Sequence, residues 1–285
     1  MFIDISTYVG HWPFRNLRYN TLSGLDELAG RYGITHMVVA NINGFFYKDA
    51  NTANLELLEE LKSYTGKTVF LPMAIVNPTY PAWEKDARDM IKAGFAGFEL
   101  APIYHGYSLA PELLFDEYSP KHRALEVINL AEELDVPVRI CASIENFRGR
   151  SALDNYNNIK GDDYFALLSK NENVHVFVTS FSPLASGEHF KKLLETRKNT
   201  YFDTTQFETL GNKAAENILK TIDDSQLCFG SLSPFNYMEA NLLRMEFTPE
   251  FNADKMKTNG AKLSDDWISL AENAGCVSVW RHFSR

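Results

Sequence analysis

Short apolar runs alternate with amphipathic stretches along almost the whole chain. The apolar runs are FIDI from Phe2, HMVVAN from His36, TVFLPMAIVNP from Thr68, AGFELAP from Ala96, VPVRICAS from Val136, VHVFVTS from Val174, TYFDTT from Thr200 and LCFGS from Leu227. Each is four to eleven residues long, rich in β-branched and aromatic side chains, and bounded by turn formers, the pattern of buried strands. Between them the polar and apolar positions recur with helical period. Ser23 opens such a stretch and Gly33 terminates it; in the next, Asn51 or Thr52 is the expected cap, Leu55, Leu58 and Leu61 the apolar stripe, and Gly66 the end. Further helices are expected over Trp83 to Ala93, His122 to Leu134, Asp163 to Lys170, His189 to Thr196, Lys213 to Thr221 and Asn236 to Phe247. Two prolines sit in strand-like runs. Pro137 opens its strand, and Pro72 is expected at a bulge or near a strand end, because it cannot donate to a ladder.

Eight strand-like runs alternating with eight helical patterns imply parallel crossovers. Over about 250 residues this is the size and rhythm of a closed (β/α)8 TIM barrel. A doubly wound open sheet is the competing α/β fold, but it would more often carry a Gly-rich first turn, and Gly10 stands alone here. The reading is one barrel domain over residues 1–250. Residues 251–285, with a helical stretch from Lys255 to Leu270, form a C-terminal helical extension packed on it.

Charge and cysteine usage narrow the partners. The net charge is -9 and no basic cluster occurs, which argues against nucleic acid or an anionic membrane, since phosphate neutralisation needs a clustered positive face. A small-molecule ligand or substrate is expected, and a homo-oligomer stays open. Three cysteines without motif spacing, Cys141, Cys228 and Cys276, read as free thiols. With no leader-like start and no apolar stretch of 18 residues, the expectation is a soluble, cytoplasmic protein.

In a TIM barrel the chemistry lies at the C-terminal strand ends. Here those ends carry Asp4, Ser6, Tyr8 and His11; Asn41 and Asn43; Asn77; Glu99, Tyr104, His105 and Tyr107; Arg139, Cys141, Ser143 and Glu145; Thr179 and Ser180; Asp203, Thr204 and Thr205; Ser231 and Ser233. A buried strand carboxylate is costly unless paired or ligating, so Asp4 is either a pocket group or a satisfied hub. His11 either reaches the pocket or packs on aromatics, and His105 and Tyr107 either contact substrate or belong to a structural lid. Arg139 would suit a carboxylate or phosphate, or pair with Glu99 or Asp203. Asp203 is the foremost polar group at the mouth, with Ser231 or Arg139 as its expected partner. Glu145 and Arg148 read as an exposed loop pair. Cys141 has no adjacent histidine to activate it as a nucleophile.

The ordered pieces FID with GHWPFR, GFELAPIYHGYSL, VPVRICAS, YFDTT, LCFGSLSPF and TNGAKL resemble the amidohydrolase superfamily, in particular its small single-domain branch of predicted metal-dependent hydrolases and decarboxylases. That resemblance implies a TIM barrel with a strand 1 Asp-x-His-x-His motif, histidines after strands 5 and 6, and a strand 8 aspartate that orients and deprotonates a metal-bound water. Here Asp4 is followed by Ser6 and Tyr8, the later histidines align with Cys141 and Ser180, and the aspartate aligns with Leu232. Glu99 stands near a lysine of some members.

A catalytic zinc-type site needs about three converging nitrogen, oxygen or sulfur ligands and an open position. Leucine supplies none, so the expected metal-ligand set is none, with a single divalent metal such as Zn as the minor alternative. The function expected from this resemblance is an amidohydrolase-like barrel with a degraded metal site, acting on or binding a small polar or anionic molecule. Asp203, Glu99 or Asp4 would be its base, with His11, His105, Tyr107, Arg139 and Ser231 contacting substrate. A non-catalytic small-molecule-binding barrel and a mononuclear-metal decarboxylase or lyase are the alternatives.

Overall fold

A computed structural model describes residues 2–111, 122–145, 151, 159–181, 188–205 and 222–248, together with 253, 254, 256, 257 and 259. Eight strands are present among them: β1 (Ile3–Val9), β2 (His36–Asn41), β3 (Val69–Val76), β4 (Gly97–Leu100), β5 (Val138–Cys141), β6 (Val176–Thr179), β7 (Thr200–Asp203) and β8 (Leu227–Cys228). They pair in chain order and in parallel. The ring is completed where Ile5 N donates to Phe229 O at 3.1 Å and Tyr8 N to Ser233 O at 2.8 Å. This is the expected (β/α)8 barrel, and all eight apolar runs form strands.

Pro72 is neither at a bulge nor at an end. It lies within β3, where pairing to β2 finishes (Val39 with Pro72) and pairing to β4 begins (Met73 with Gly97). The missing N–H falls at the handover between two ladders, so no expected bond is lost.

The helices are α1 (Leu22–Tyr32), α2 (Ala50–Ser63), α3 (Trp83–Lys92), a short α4 (Pro102–His105), α5 (Arg123–Glu133), α6 (Gly161–Leu168), α7 (Glu188–Thr196) and α8 (Met238–Phe247). Thr21 caps α1 by accepting from Gly24 N, and Gly33 ends it at φ 71, a left-handed C-cap that glycine adopts without a Cβ penalty. In α2 the cap is Asp49, two residues before Asn51 and three before Thr52, and Tyr64 rather than Gly66 closes the helix. Its buried stripe is Ala53, Leu57 and Leu61, with Leu58 half-buried at its edge, while Leu55 lies off that face and is exposed to solvent. The expected helix over Lys213 to Thr221 and nearly all of 251–285 lie outside the described residues.

Alternation along the strands divides the apolar side chains into two shells. Val39, Ala74, Val76, Phe98, Val138, Ile140, Val176, Val178 and Phe202 pack outward under the helices. Ile3, Ile5, Tyr8, Val38, Met73, Ile75, Cys141, Phe177 and Cys228 fill the interior. No helix among the described residues is long and apolar enough to cross a membrane.

Gly97 marks where β4 and β5 approach most closely: a Cβ there would stand 2.4 Å from Pro137 O and 3.0 Å from Met73 Cε. Gly97→Ala is expected to lower stability by about 1–3 kcal/mol in urea denaturation, as overpacking against backbone cannot relax. Gly30→Ala, on the exposed side of α1 with nothing within 4 Å of the new Cβ, is expected to raise it by about 0.5–1 kcal/mol.

Candidate active site at the strand ends

The barrel axis is occupied by charge. Glu99 on β4 and Arg139 on β5 stand opposite each other in register and are both fully buried. Arg139 Nε donates to Glu99 Oε2. Its Nη1 donates to Ile5 O at 3.0 Å and Val38 O at 2.9 Å, and its guanidinium carbon lies 4.8 Å from the centre of the Tyr8 ring. Tyr8 Oη donates to the other Glu99 oxygen at 2.8 Å. Burial raises the Glu99 pKa, opposed by Arg139 and Tyr8. Burial disfavours the Arg139 charge, but Glu99 and Tyr8 outweigh it and hold its pKa above the ordinary value. Of its two expected carboxylate partners Arg139 takes Glu99.

Two more carboxylates, Asp4 near the start of β1 and Asp203 at the C-terminal end of β7, are both at 0% exposure. Asp4 Oδ1 accepts from Ser6 N at 3.0 Å and Ser231 N at 3.0 Å. Asp203 Oδ1 accepts from Ser180 N and the Thr205 hydroxyl, both at 2.8 Å. Its backbone-amide partner is therefore Ser180, on the neighbouring strand end, whereas Ser231 serves Asp4. The second oxygen of each carboxylate has no donor in hydrogen-bonding geometry among the described residues, although the Ser231 hydroxyl lies beside Asp4 and the Ser6 hydroxyl beside Asp203. Burial pushes the Asp4 carboxyl up to about 7 and the Asp203 carboxyl up to about 6, with the charge of Asp203 adding to the rise of Asp4. Burial alone accounts for the direction of both shifts, and it makes the two carboxyls candidates for acid–base chemistry.

Gly230 makes this closeness achievable. A Cβ there would lie 2.6 Å from Asp203 Cβ, 2.9 Å from its Oδ2 and 3.1 Å from Ser6 Cβ. Ser180, whose N–H donates to Asp203, and Leu232, one residue after the Asp4 donor Ser231, both hold φ 54. Left-handed backbone at two non-glycine strand ends is strain of a kind that concentrates at functional sites.

Above this layer the mouth is aromatic. Trp12 is 1% exposed and meets Phe14, Phe46, Tyr104 and Phe235 edge-on, with ring centres 5.3, 5.2, 5.9 and 5.0 Å away. Its Nε1–H has no acceptor among the described residues. His105 Nε2 lies 3.0 Å from Gly44 O, so Nε2 carries the proton and Nδ1 is a free acceptor; burial lowers its pKa and keeps it neutral. Tyr107 stacks on His105 at 6.4 Å. His11 is exposed at the rim, its backbone N–H held by Asn43 Oδ1. Glu145 is buried and pairs with Arg15 at 2.6 Å, which replaces the expected partner Arg148, a residue outside those described. Phe45, Phe46 and Phe235 were not among the sequence candidates; the density of aromatics in GFFY and SPF was the available signal.

The residues at the expected ligand positions do not fit a metal. Tyr8 is committed to Glu99, burial pushes the Cys141 thiol far up, and Leu232 is buried among apolar side chains. No group of three or more His, Cys, Asp or Glu side chains among the described residues is placed to hold an ion.

No family profile and no curated protein matches this sequence. Solved structures match in fold along nearly its whole length. A 2,6-dihydroxybenzoate decarboxylase from Rhizobium is 12% identical, with 92% of this chain and 98% of that one covered and a TM-score of 0.63. A dihydroxybenzoic acid decarboxylase from Polaromonas sp. JS666, with bound manganese and 2-nitroresorcinol, is 13% identical, with 93% and 96% covered and a TM-score of 0.65. An amidohydrolase 2 from Bifidobacterium longum subsp. infantis is 12% identical, with 92% and 98% covered and a TM-score of 0.56. The barrel is thus similar to amidohydrolase-type barrels in fold, as the sequence resemblance implied.

Two outcomes follow from the buried charges. Arg139→Ala strands the Glu99 carboxylate and is expected to cost about 3–5 kcal/mol in chemical denaturation, while Arg139→Met combined with Glu99→Gln recovers most of the loss. The native state holds protons on Asp4 and Asp203 that the unfolded chain has released, so their contribution to stability falls as pH rises from about 4 through 7. Thermal melting of Asp4→Asn at pH 5 and pH 8 is expected to show a smaller decline than the unsubstituted protein.

Proposed function

We propose that this chain is an amidohydrolase-like barrel enzyme performing acid–base chemistry, hydrolysis or decarboxylation, on a small polar or anionic molecule. The observation that carries the reading is the Asp4 and Asp203 pair: two fully buried carboxyls inside the barrel raised to about 7 and 6, each with an Oδ2 that has no donor in hydrogen-bonding geometry among the described residues. Groups that titrate near the working pH are the effective general acids and bases. Glu99 and Arg139 satisfy one another and hold the barrel, so the base falls to Asp203 or Asp4 rather than Glu99. Trp12 Nε1–H and His105 Nδ1 offer a donor and an acceptor inside an aromatic mouth, suited to orienting a small, flat, polar molecule. The ligands in the solved neighbours, 2,6-dihydroxybenzoate and 2-nitroresorcinol, support that size and shape.

Because the donor set does not fit a divalent ion, the reading assigns the proton transfers to this chain's own side chains. The test is a panel of lactones, esters, amides and hydroxybenzoates, run on chelator-treated protein and again with manganese or zinc added. Turnover that survives chelation and falls by about 10²–10⁴ in Asp203→Asn is expected. Absence of turnover in both arms would overturn the enzyme reading, and turnover only with added metal would overturn its metal independence.

A further inference from the structure

We infer that Asp4 and Asp203 act as one unit, a carboxylate pair that holds a single proton between them and does the acid–base work of this site without a metal ion. The inference rests on the proposed reading of the site, and its geometry stands apart from it. Asp4 comes from β1 and Asp203 from the end of β7, and Ser6 bridges them: its N–H donates to Asp4 Oδ1, and its side chain lies beside Asp203. Backbone amides fix one oxygen of each carboxylate, Ser231 N on Asp4 and Ser180 N on Asp203, so the Oδ2 atoms, near the Ser231 and Ser6 hydroxyls, are the pair without a donor in hydrogen-bonding geometry among the described residues. Glycine at position 230 leaves the space that brings Asp203 against Ser6.

A second, independent feature marks the layer as built for a guest. Thr179 lies one position beyond the paired residues Val178 and Phe202, which places it level with Asp203 on the inner face. It is fully buried, and its hydroxyl oxygen has no partner among the described residues. A sealed layer holding two uncommitted carboxylate oxygens and an uncommitted hydroxyl is stable only when a proton or a bound group satisfies them.

The surrounding charges decide which. The titratable neighbours that act on Asp4, Asp203 or both are each other, Cys141, Cys228 and Tyr164. Burial keeps those two thiols and that phenol neutral. Arg139, the one cation on the barrel axis among the described residues, donates to Glu99 and to two carbonyls. Among the described residues no cation acts on either carboxylate, Arg139 being held by Glu99, and two like charges in one dry layer do not both ionise at neutral pH.

In hydrolysis the ionised member takes a proton from the attacking water as the O–C bond forms. The protonated member gives its proton to the leaving atom as the C–X bond breaks. The pair ends with one proton, now on the other carboxylate, and no other co-reactant is needed.

The test reads protonation directly, so its failure is distinct from failure to find a substrate. Protein labelled at the aspartate carboxyl carbon, freed of metal by chelation, is titrated by carbon NMR. Two coupled carboxyls that together retain one proton into the neutral range are expected, unchanged on adding manganese, zinc or magnesium. Asp203→Asn should move the Asp4 midpoint down by about one pH unit or more, and Asp4→Asn should do the same to Asp203. Both carboxyls ionised through the neutral range, a midpoint unmoved by the partner's substitution, or loss of the upper step on metal addition would each overturn the inference. If either variant fails to fold, the two-step titration of the unsubstituted protein, with and without metal, still decides it.

Discussion

One guanidinium ties the barrel together. Arg139 leaves β5, reaches the axis, and donates to Glu99 on β4, to the carbonyl of Ile5 on β1 and to that of Val38 on β2, with the Tyr8 ring against its face. A charge placed there would cost several kcal/mol if any of these partners were missing. Four strands are therefore held in one register by a single side chain, and the interior cannot be repacked piecemeal.

That constraint shapes the chemistry above it. Because Tyr8 donates to Glu99, the first strand contributes structure at the position where the resembling family carries its second histidine. Arg139 and Glu99 pair with each other, while Asp4 and Asp203 each keep an Oδ2 with no donor in hydrogen-bonding geometry. Among the described residues the unpartnered buried polar groups around them are these two oxygens, Arg139 Nη2, the hydroxyls of Ser6, Thr179 and Thr204, Trp12 Nε1–H and His105 Nδ1. Proton transfer between carboxyls uses that set as it stands.

The solved neighbours match this chain over nine-tenths of its length at 12–13% identity. What persists at that distance is the alternation of apolar strands and amphipathic helices, since it alone determines which faces are buried. The strand-end side chains are under no such packing requirement, and Ser6, Tyr8, Cys141, Ser180 and Leu232 stand where the sequence resemblance implies ligands and an aspartate.

The sequence by itself determined the eight strands, their parallel order and the layer at which chemistry would gather. A two-residue period, a helical period and a few glycines are local physical signals, and they need no partner to be read. It also named Asp4, Asp203, Glu99 and Arg139, all four of which the barrel buries completely. It misplaced the α2 stripe, because helix phase depends on which face the sheet presents, and it set Pro72 at a bulge because the handover between two ladders is a property of three strands at once. Only the tertiary structure decided that Arg139 belongs to Glu99, that Glu145 belongs to Arg15, and that Ser6 stands between two carboxylates. Those are contacts across 40, 130 and 197 positions of chain, and burial, which sets their energies, exists only once the barrel has closed.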